Sequence, residues 1–438
     1  MDWLKNKYFT IVANACRFVL ASVLVVSGFV KAVDPLGSMY KLQEYATAFS
    51  FGLISDEWLF VFGIVQAALE FLLGVFLLMG VYRKAVAFIT PAVMLFFTVL
   101  TTVIYFGDNV SDCGCFGEAV TLSNGATLAK NIFLLLLSVI VMLGHRNFVR
   151  NVSSRSRWMV VLFAFFYIVL TVFLSASHLP VVDFGNYQIG FNLRAMTQGT
   201  PDEYRVIYRY ERGEELCELP EGESPDSSWV CVGSRSQIIK EGTPPLLADF
   251  SIVDWEYDAD MSEELLADTG YVCIVAVSDM DKASVSRVDK INDMYDYCLD
   301  NGVPFFVTTA SDDAAVAHWC KRTGAEYPVY WTDELVLRNM VRANPGVLLL
   351  KDGVIVGKWN VADLPAVDDF AQSPTRMPDR LSTPVEEMRG WRFWMILLAA
   401  PLLLIALLDV FVSRNASKEK ATSLDSSVDA ADAKTDKK

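Results

Sequence analysis

Arg157-Trp-Met-Val-Val-Leu-Phe-Ala-Phe-Phe-Tyr-Ile-Val-Leu-Thr-Val-Phe-Leu-Ser-Ala-Ser177 is a run of 21 residues whose only charge stands at its first position. A helix that crosses the hydrocarbon core of a bilayer needs about 20 mostly apolar residues, and this run meets that need. Five further runs do so as well, at about 10–33, 58–81, 84–106, 128–148 and 391–413. The chain is therefore expected to cross a membrane six times. Val30-Lys31-Ala32 loosely imitates a signal-peptide cleavage site, but the first apolar run is too long for a signal peptide and a second span follows soon after. It is read as a retained span.

The segments between the spans differ in charge. Lys5 and Lys7 precede the first span, Arg83 and Lys84 join the second to the third, and Arg146, Arg150, Arg155 and Arg157 join the fourth to the fifth. The alternate loops, 34–57 and 107–127, hold Lys41 as their one lysine or arginine. Because Lys and Arg accumulate in cytoplasmic loops, the N-terminus is expected to be cytoplasmic. Residues 178–390 then lie outside, and the sixth span returns the chain to the cytoplasm. This outer region carries 37 Asp and Glu against 18 Lys and Arg. With a formal net charge of −15 over 438 residues, the chain has no basic footprint for nucleic acid. Its 53% hydrophobic content excludes a disordered protein, and eight cysteines are too few for a disulfide scaffold of this length. Residues 414–438 read as a disordered cytoplasmic tail.

The outer region divides into a β-rich segment, 179–250, and an α/β domain, 251–390. Tyr204-Arg-Val-Ile-Tyr-Arg-Tyr210 alternates like a strand. Cys217 and Cys231 flank a turn-rich stretch, Leu219 to Ser228, and two cysteines on neighbouring strands in an oxidising compartment read as a structural disulfide. From Tyr271 onward strands alternate with helices and end in a hairpin, the pattern of an α/β sandwich. This stretch, about 250–365, resembles the thioredoxin-like fold in an extended form with an inserted strand and helix. Asn344-Pro345-Gly346-Val347-Leu348-Leu349-Leu350-Lys351-Asp352-Gly353 carries the resemblance. The resemblance implies that Pro345 is cis and borders a partner-docking surface. Redox enzymes of that fold place Cys-x-x-Cys after the first of these strands, where this chain has Ser278-Asp279-Met280-Asp281-Lys282-Ala283-Ser284. A thiolate is the nucleophile in disulfide exchange, so this domain alone is not expected to be an oxidoreductase. Cys273, Cys298 and Cys320 fall within a strand and two helices and read as packing residues.

The first four spans, residues 1–150, resemble the DoxX/MauE family of four-helix membrane proteins. The matching residues are Ser27-Gly28-Phe29-Val30-Lys31-Ala32-Val33-Asp34-Pro35, Glu70, Asp112-Cys113-Gly114-Cys115-Phe116-Gly117 and Lys130-Asn131. With the fifth span at 151–178 and the sixth at 391–413, the arrangement is similar to long DoxX-family proteins of Bacteroidota-type bacteria, which implies an inner-membrane location. MauE-type members are associated with maturation of an enzyme that needs periplasmic disulfides.

Cys113 and Cys115 can approach to about 5.5–7 Å between Cα atoms, the upper range for a disulfide. A ring closed across one glycine is strained, and strained disulfides are the labile ones. The pair reads as redox-active, as a static disulfide, or as two thiols of an under-supplied metal site; His178 is the one outer histidine near the membrane, and no metal is expected. Asp112 and Glu118 would raise the thiol pKa values, while Lys130 would lower them. Glu70 falls about 18 Å along its helix from Trp58, near mid-membrane, where a carboxylate is costly. It is either hydrogen-bonded within the bundle or functional, and Lys31 is expected to reach it only through water or Gln66. Asp409 is expected to snorkel toward Arg414.

The residues together support accessory thiol–disulfide redox work, or maturation of exported proteins, centred on Cys113 and Cys115 with Lys31, Glu70 and Lys130 in support. The partners expected are the lipid bilayer and a periplasmic thiol, disulfide or client protein. The alternatives are a non-catalytic membrane scaffold and a protein that binds quinone or another small molecule through Glu70.

Overall fold

The computed structural model of the chain describes residues 7–50, 54–107, 110, 114–120, 122–200, 202–213, 215–223, 225–267, 270–367 and 390–412. It divides into two compact units, Met1–Gly185 with Thr383–Lys438, and Asn186–Ser382. The tail proposed at 414–438 lies outside the described residues.

The first unit is helical. Its spans are α1 (Lys7–Val33), α3 (Asp56–Met79), α4 (Arg83–Gly107), α5 (Asn124–Gly144, continued by a 3-10 turn to Asn147), α6 (Arg157–Ser177) and α12 (Trp391–Val412). All six are long and apolar enough to cross a membrane, and their ends fall within a few residues of those expected. Helix α2 (Pro35–Ala48) occupies what the sequence suggested was an outer loop. Its start was nonetheless encoded: Pro35 stands in the first turn, where a missing N–H costs nothing, and the Asp34 carboxylate accepts from the Gly37 N–H at 2.8 Å.

Helices α1 and α3 pack closely because two glycines remove side chains from their crossing. A Cβ at Gly28 would stand 2.4 Å from the backbone N of Phe71 and 2.7 Å from the Ala67 carbonyl oxygen. A Cβ at Gly74 would stand 2.6 Å from the Val25 nitrogen. Small residues at such crossings let helix backbones approach where no hydrophobic effect drives association. Phe29, Phe71 and Tyr167 fill the space between α1, α3 and α6, with Phe71 and Tyr167 stacked at 5.4 Å between ring centroids.

The second unit holds α7 (Leu193–Gln198), β1 (Glu203–Arg212), β2 (Glu215–Pro220), β3 (Val230–Lys240), β4 (Val253–Asp254), β5 (Ala259–Asp260), α8 (Ser262–Ala267), β6 (Tyr271–Val277), α9 (Asp289–Asp300), β7 (Phe305–Thr309), α10 (Asp313–Thr323), β8 (Val329–Trp331), α11 (Glu334–Met340), β9 (Gly346–Lys351) and β10 (Val354–Asn360). Seven strands form one sheet in the order β10-β9-β6-β7-β8-β4-β5. Strands β6, β7 and β8 are parallel, β9 is antiparallel to β6, and β10 is antiparallel to β9. Central strands buried on both faces must be apolar throughout; all but the first residue of Tyr271–Val277 are buried, as are all of Phe305–Thr309. This is a thioredoxin-like α/β arrangement with the expected terminal hairpin.

Part of the β-rich segment pairs with the α/β sheet. Residues 187–193 run along the outer edge of β10: Gly190 N–H donates to the Ile355 carbonyl at 2.7 Å, Ile355 N–H to Phe191 at 2.9 Å, and Lys358 Nζ to Tyr187 at 3.2 Å. The edge of the sheet is thereby covered.

Strands β1, β2 and β3 form a separate antiparallel sheet in the order β2-β1-β3. This corrects the disulfide expected between Cys217 and Cys231. Cys217 on β2 and Cys231 on β3 both face Tyr210 of the intervening strand β1, so two inter-strand spacings of about 4.8 Å separate them. That exceeds the reach of a disulfide, and both are unbonded thiols.

Candidate functional site

The last turns of α1 carry Ser27 and Lys31, four residues apart and therefore on one face. Helix α3 presents Gln66 and Glu70 with the same spacing. The close approach at Gly28 brings the two faces together. Lys31 Nζ lies 2.9 Å from Glu70 Oε2 and 2.8 Å from Ser27 Oγ. Ser27 Oγ is 2.6 Å from the same carboxylate oxygen. Gln66 Nε2 donates to the other oxygen at 3.2 Å. The expectation that Lys31 needs a water or Gln66 to reach Glu70 is thus corrected: the ion pair is direct, and both side chains are at least nine-tenths buried. The sequence could not show this, because the reach depends on the missing side chain at Gly28.

A buried ion pair is expensive to desolvate and repays that cost only with good geometry and further hydrogen bonds. Here the further partner is the loop that carries the cysteines. The Cys115 carbonyl oxygen accepts from Lys31 Nζ at 2.7 Å and stands 2.8 Å from Ser27 Oγ. The loop is compact because two glycines adopt left-handed backbone, Gly114 at φ 57° and Gly117 at φ 53°. Gly117 N–H donates to the Gly114 carbonyl at 3.0 Å. Gly114 also lies against the aliphatic stem of Lys41; a Cβ there would stand 2.9 Å from Lys41 Cγ. Lys130 lies over the ring of Phe116, its Nζ 4.5 Å from the centroid, a cation–π contact. Five residues singled out from the sequence or its motifs (Ser27, Lys31, Glu70, Cys115 and Lys130) therefore converge on one loop. Cys113 and Asp112 lie outside the described residues. Cys115 is half-buried.

In the second unit, the loop that replaces Cys-x-x-Cys is bound to the proline loop. Asn344–Pro345 is cis, as the fold implied. Asn344 Nδ2 donates to the Asp279 carbonyl at 2.8 Å, and the Ser284 N–H donates to the Asn344 carbonyl at 3.1 Å. Met280 and Ala283 are buried within this loop, and it carries no thiol. Cys273 and Cys298 meet in the core; their mutual hydrogen bond and burial push the Cys273 thiol well above its ordinary value. Burial also raises the Cys320 thiol. These are packing cysteines in chemical terms.

Two features escaped the sequence reading. Arg17, in the middle of an apolar run, is fully buried in α1; its Nη1 donates to the Val149 carbonyl at 2.8 Å. A charge inside a span is the signal that marks it. Arg414, toward which Asp409 was expected to snorkel, lies outside the described residues; the Asp409 carboxylate accepts from Ser153 N–H at 2.8 Å, Ser153 Oγ at 2.6 Å and Ser156 Oγ at 2.5 Å. It ties the entrance of α6 to α12.

Residues 9–144 match the family described as methylamine utilisation protein MauE. Among solved structures, the chain is 14% identical to one described as the "Solution structure of a putative protein disulfide isomerase from Bacteroides thetaiotaomicron", over 32% of this chain and 91% of that one, with a TM-score of 0.23. No curated protein matches the chain.

Proposed function

We propose, from the premise that residues 9–144 form a DoxX/MauE-like membrane domain in a multi-pass membrane protein, that this chain is an accessory to thiol–disulfide exchange on the outer face of a bacterial inner membrane. The observation that carries the reading is the anchoring of the Cys115 backbone on a buried Lys31–Glu70 pair. A buried charge pair is a costly device for holding a loop; it positions Cys115 at the end of the bundle, next to a residue, Cys113, with which it can cycle. In the exchange, a client thiolate attacks one sulfur of the Cys113–Cys115 disulfide and forms a mixed disulfide. The client's second thiol then displaces it. The client loses two electrons and two protons, and Cys113 and Cys115 end as thiols. The reverse direction reduces a client disulfide by the same steps. The thioredoxin-like domain has no dithiol of its own; its Pro345 edge serves for docking a client or a partner redox protein. Residues 178–390 lie in the periplasm and both chain ends in the cytoplasm, as the distribution of Lys and Arg supports.

The reading is tested by trapping. In cells that carry Cys115→Ser, Cys113 is left to form mixed disulfides that no second thiol resolves. Disulfide-linked adducts that disappear in the Cys113→Ser/Cys115→Ser double variant are expected. Absence of adducts, with a double variant that behaves like the parent, overturns the redox reading in favour of a membrane scaffold.

A further inference from the structure

A cavity of about 770 Å³ opens at the other end of the helical bundle, where α3 meets α4 and where the segment after α5 leads into α6. Arg83, Lys84, Arg150 and Arg157 line it together with His145. No carboxylate lines it, and among the described residues none of these four cations has an ion-pair partner. Asp409, which reaches the wall residue Ser153, has both oxygens engaged by Ser153 and Ser156. Behind the wall at Gly80 stands Arg17, whose Nη1 would lie 3.2 Å from a Cβ placed there. Its Nε and Nη2 are buried with no hydrogen-bond partner, and its charged group faces the rings of Phe18 and Phe148 rather than an acid. Ser153, Ser154 and Tyr82 add hydroxyls to the wall, and Val81, Val152, Phe88 and Ile89 give it an apolar side; the last two are exposed on the flank of α4 that a bilayer would cover.

We propose that this cavity binds the phosphate headgroup of an anionic phospholipid, with an acyl chain laid along Phe88 and Ile89. Positive potential without an internal counter-ion calls for an anion. An apolar wall continuing onto the lipid-facing surface calls for an amphiphile rather than free phosphate. Basic pockets between spanning helices are the chemistry that holds such headgroups. The general excess of Lys and Arg in cytoplasmic loops accounts for the number of charges, but not for the cavity or for the uncompensated Arg17 behind it.

The full chain, purified in a neutral detergent, is titrated with dioleoyl phosphatidylglycerol, with dioleoyl phosphatidylcholine and with inorganic phosphate, and binding is read by native mass spectrometry. Phosphatidylglycerol is expected to bind at least tenfold more tightly than phosphatidylcholine and to resist displacement by millimolar phosphate. Arg150→Gln/Arg157→Gln should weaken it at least tenfold, whereas Arg146→Gln/Arg155→Gln, an equal charge loss away from the cavity lining, should change it less than twofold. Ala85→Trp, which fills the cavity and keeps every charge, should also weaken it at least tenfold and decides the matter if the first pair fails to fold. Equal losses in the two Arg→Gln pairs would reveal diffuse surface charge and overturn the proposal. Equal binding of phosphatidylcholine, displacement by phosphate, or unchanged binding in Ala85→Trp would overturn it as well.

Discussion

Glu70 and Lys31 show how much one residue can decide in a low-dielectric bundle. Removing one partner of a buried pair leaves an uncompensated charge and costs about 3–5 kcal/mol, whereas replacing both with apolar groups of similar size is often close to neutral. Glu70→Leu and Lys31→Met are each expected to lower stability in detergent by that amount. Lys31→Met/Glu70→Leu should cost less than either alone, as measured by denaturant unfolding of the purified chain. Strict additivity of the two would mean that they do not interact. All three variants should also loosen the Cys115 loop, because each disturbs the Lys31 and Ser27 contacts to its carbonyl. A buried carboxylate at 70 was legible from its place in an apolar run, and the cysteine loop was singled out by its motif. The direct contact of Lys31 with Glu70 was not legible, because it is set by backbone approach across Gly28, a tertiary distance. The cysteines of the second unit give a contrasting expectation. Cys231 is exposed, whereas Cys273 and Cys298 are buried and the Cys273 thiol is held protonated. Maleimide should modify Cys231 in the native protein, and Cys273 and Cys298 only after unfolding; rapid native labelling at 273 would refute the packing assignment.

Among the elements, the spans were the easiest to read, since the need to satisfy every backbone group in lipid leaves a helix as the one answer for an isolated apolar run of that length. The strands of the α/β domain were legible because fully buried strands are continuously apolar. The small sheet was not. Two strands joined across a turn-rich stretch read as neighbours, yet β1 lies between β2 and β3, and strand order is not written in the turn. The helix crossing at Gly28 supplies a test at this scale. A methyl group there would meet backbone at 2.4 Å, which no side-chain rotation relieves, whereas one at Gly125 on α5 meets only the Tyr105 ring at 3.4 Å, an ordinary contact. Gly28→Ala should separate α1 from α3 and destabilise the bundle, while Gly125→Ala should be neutral or gain up to about 1 kcal/mol of helix propensity. Thermal unfolding of both variants in detergent decides; equal melting temperatures would show that the close crossing is not required.

For the whole molecule, the arrangement of helix ends determines which chemistry each side of the membrane meets. The C-terminal end of α1 and the loop at Cys115 belong to one end of the bundle, joined by the Lys31 contact. The starts of α4 and α6 and the segment around Val149 belong to the other, joined to α1 by Arg17. Seven of the basic residues counted above (Lys7, Arg83, Lys84, Arg146, Arg150, Arg155 and Arg157) fall on that second end. Moving a positive charge to the outer face during insertion is disfavoured, so this end should be cytoplasmic and the Cys115 end with residues 178–390 periplasmic. The consequence is measurable with two thiols in a chain whose other cysteines are replaced. Cys231 is exposed in the second unit, and Ser154 is exposed between α5 and α6. In intact spheroplasts a membrane-impermeant maleimide should label Cys231 and leave Ser154→Cys untouched; after permeabilisation both should label. Labelling of Ser154→Cys from outside, with protection of Cys231, would invert the orientation. It would also remove the Cys113/Cys115 loop from the oxidising side, where disulfide exchange with exported proteins has to occur.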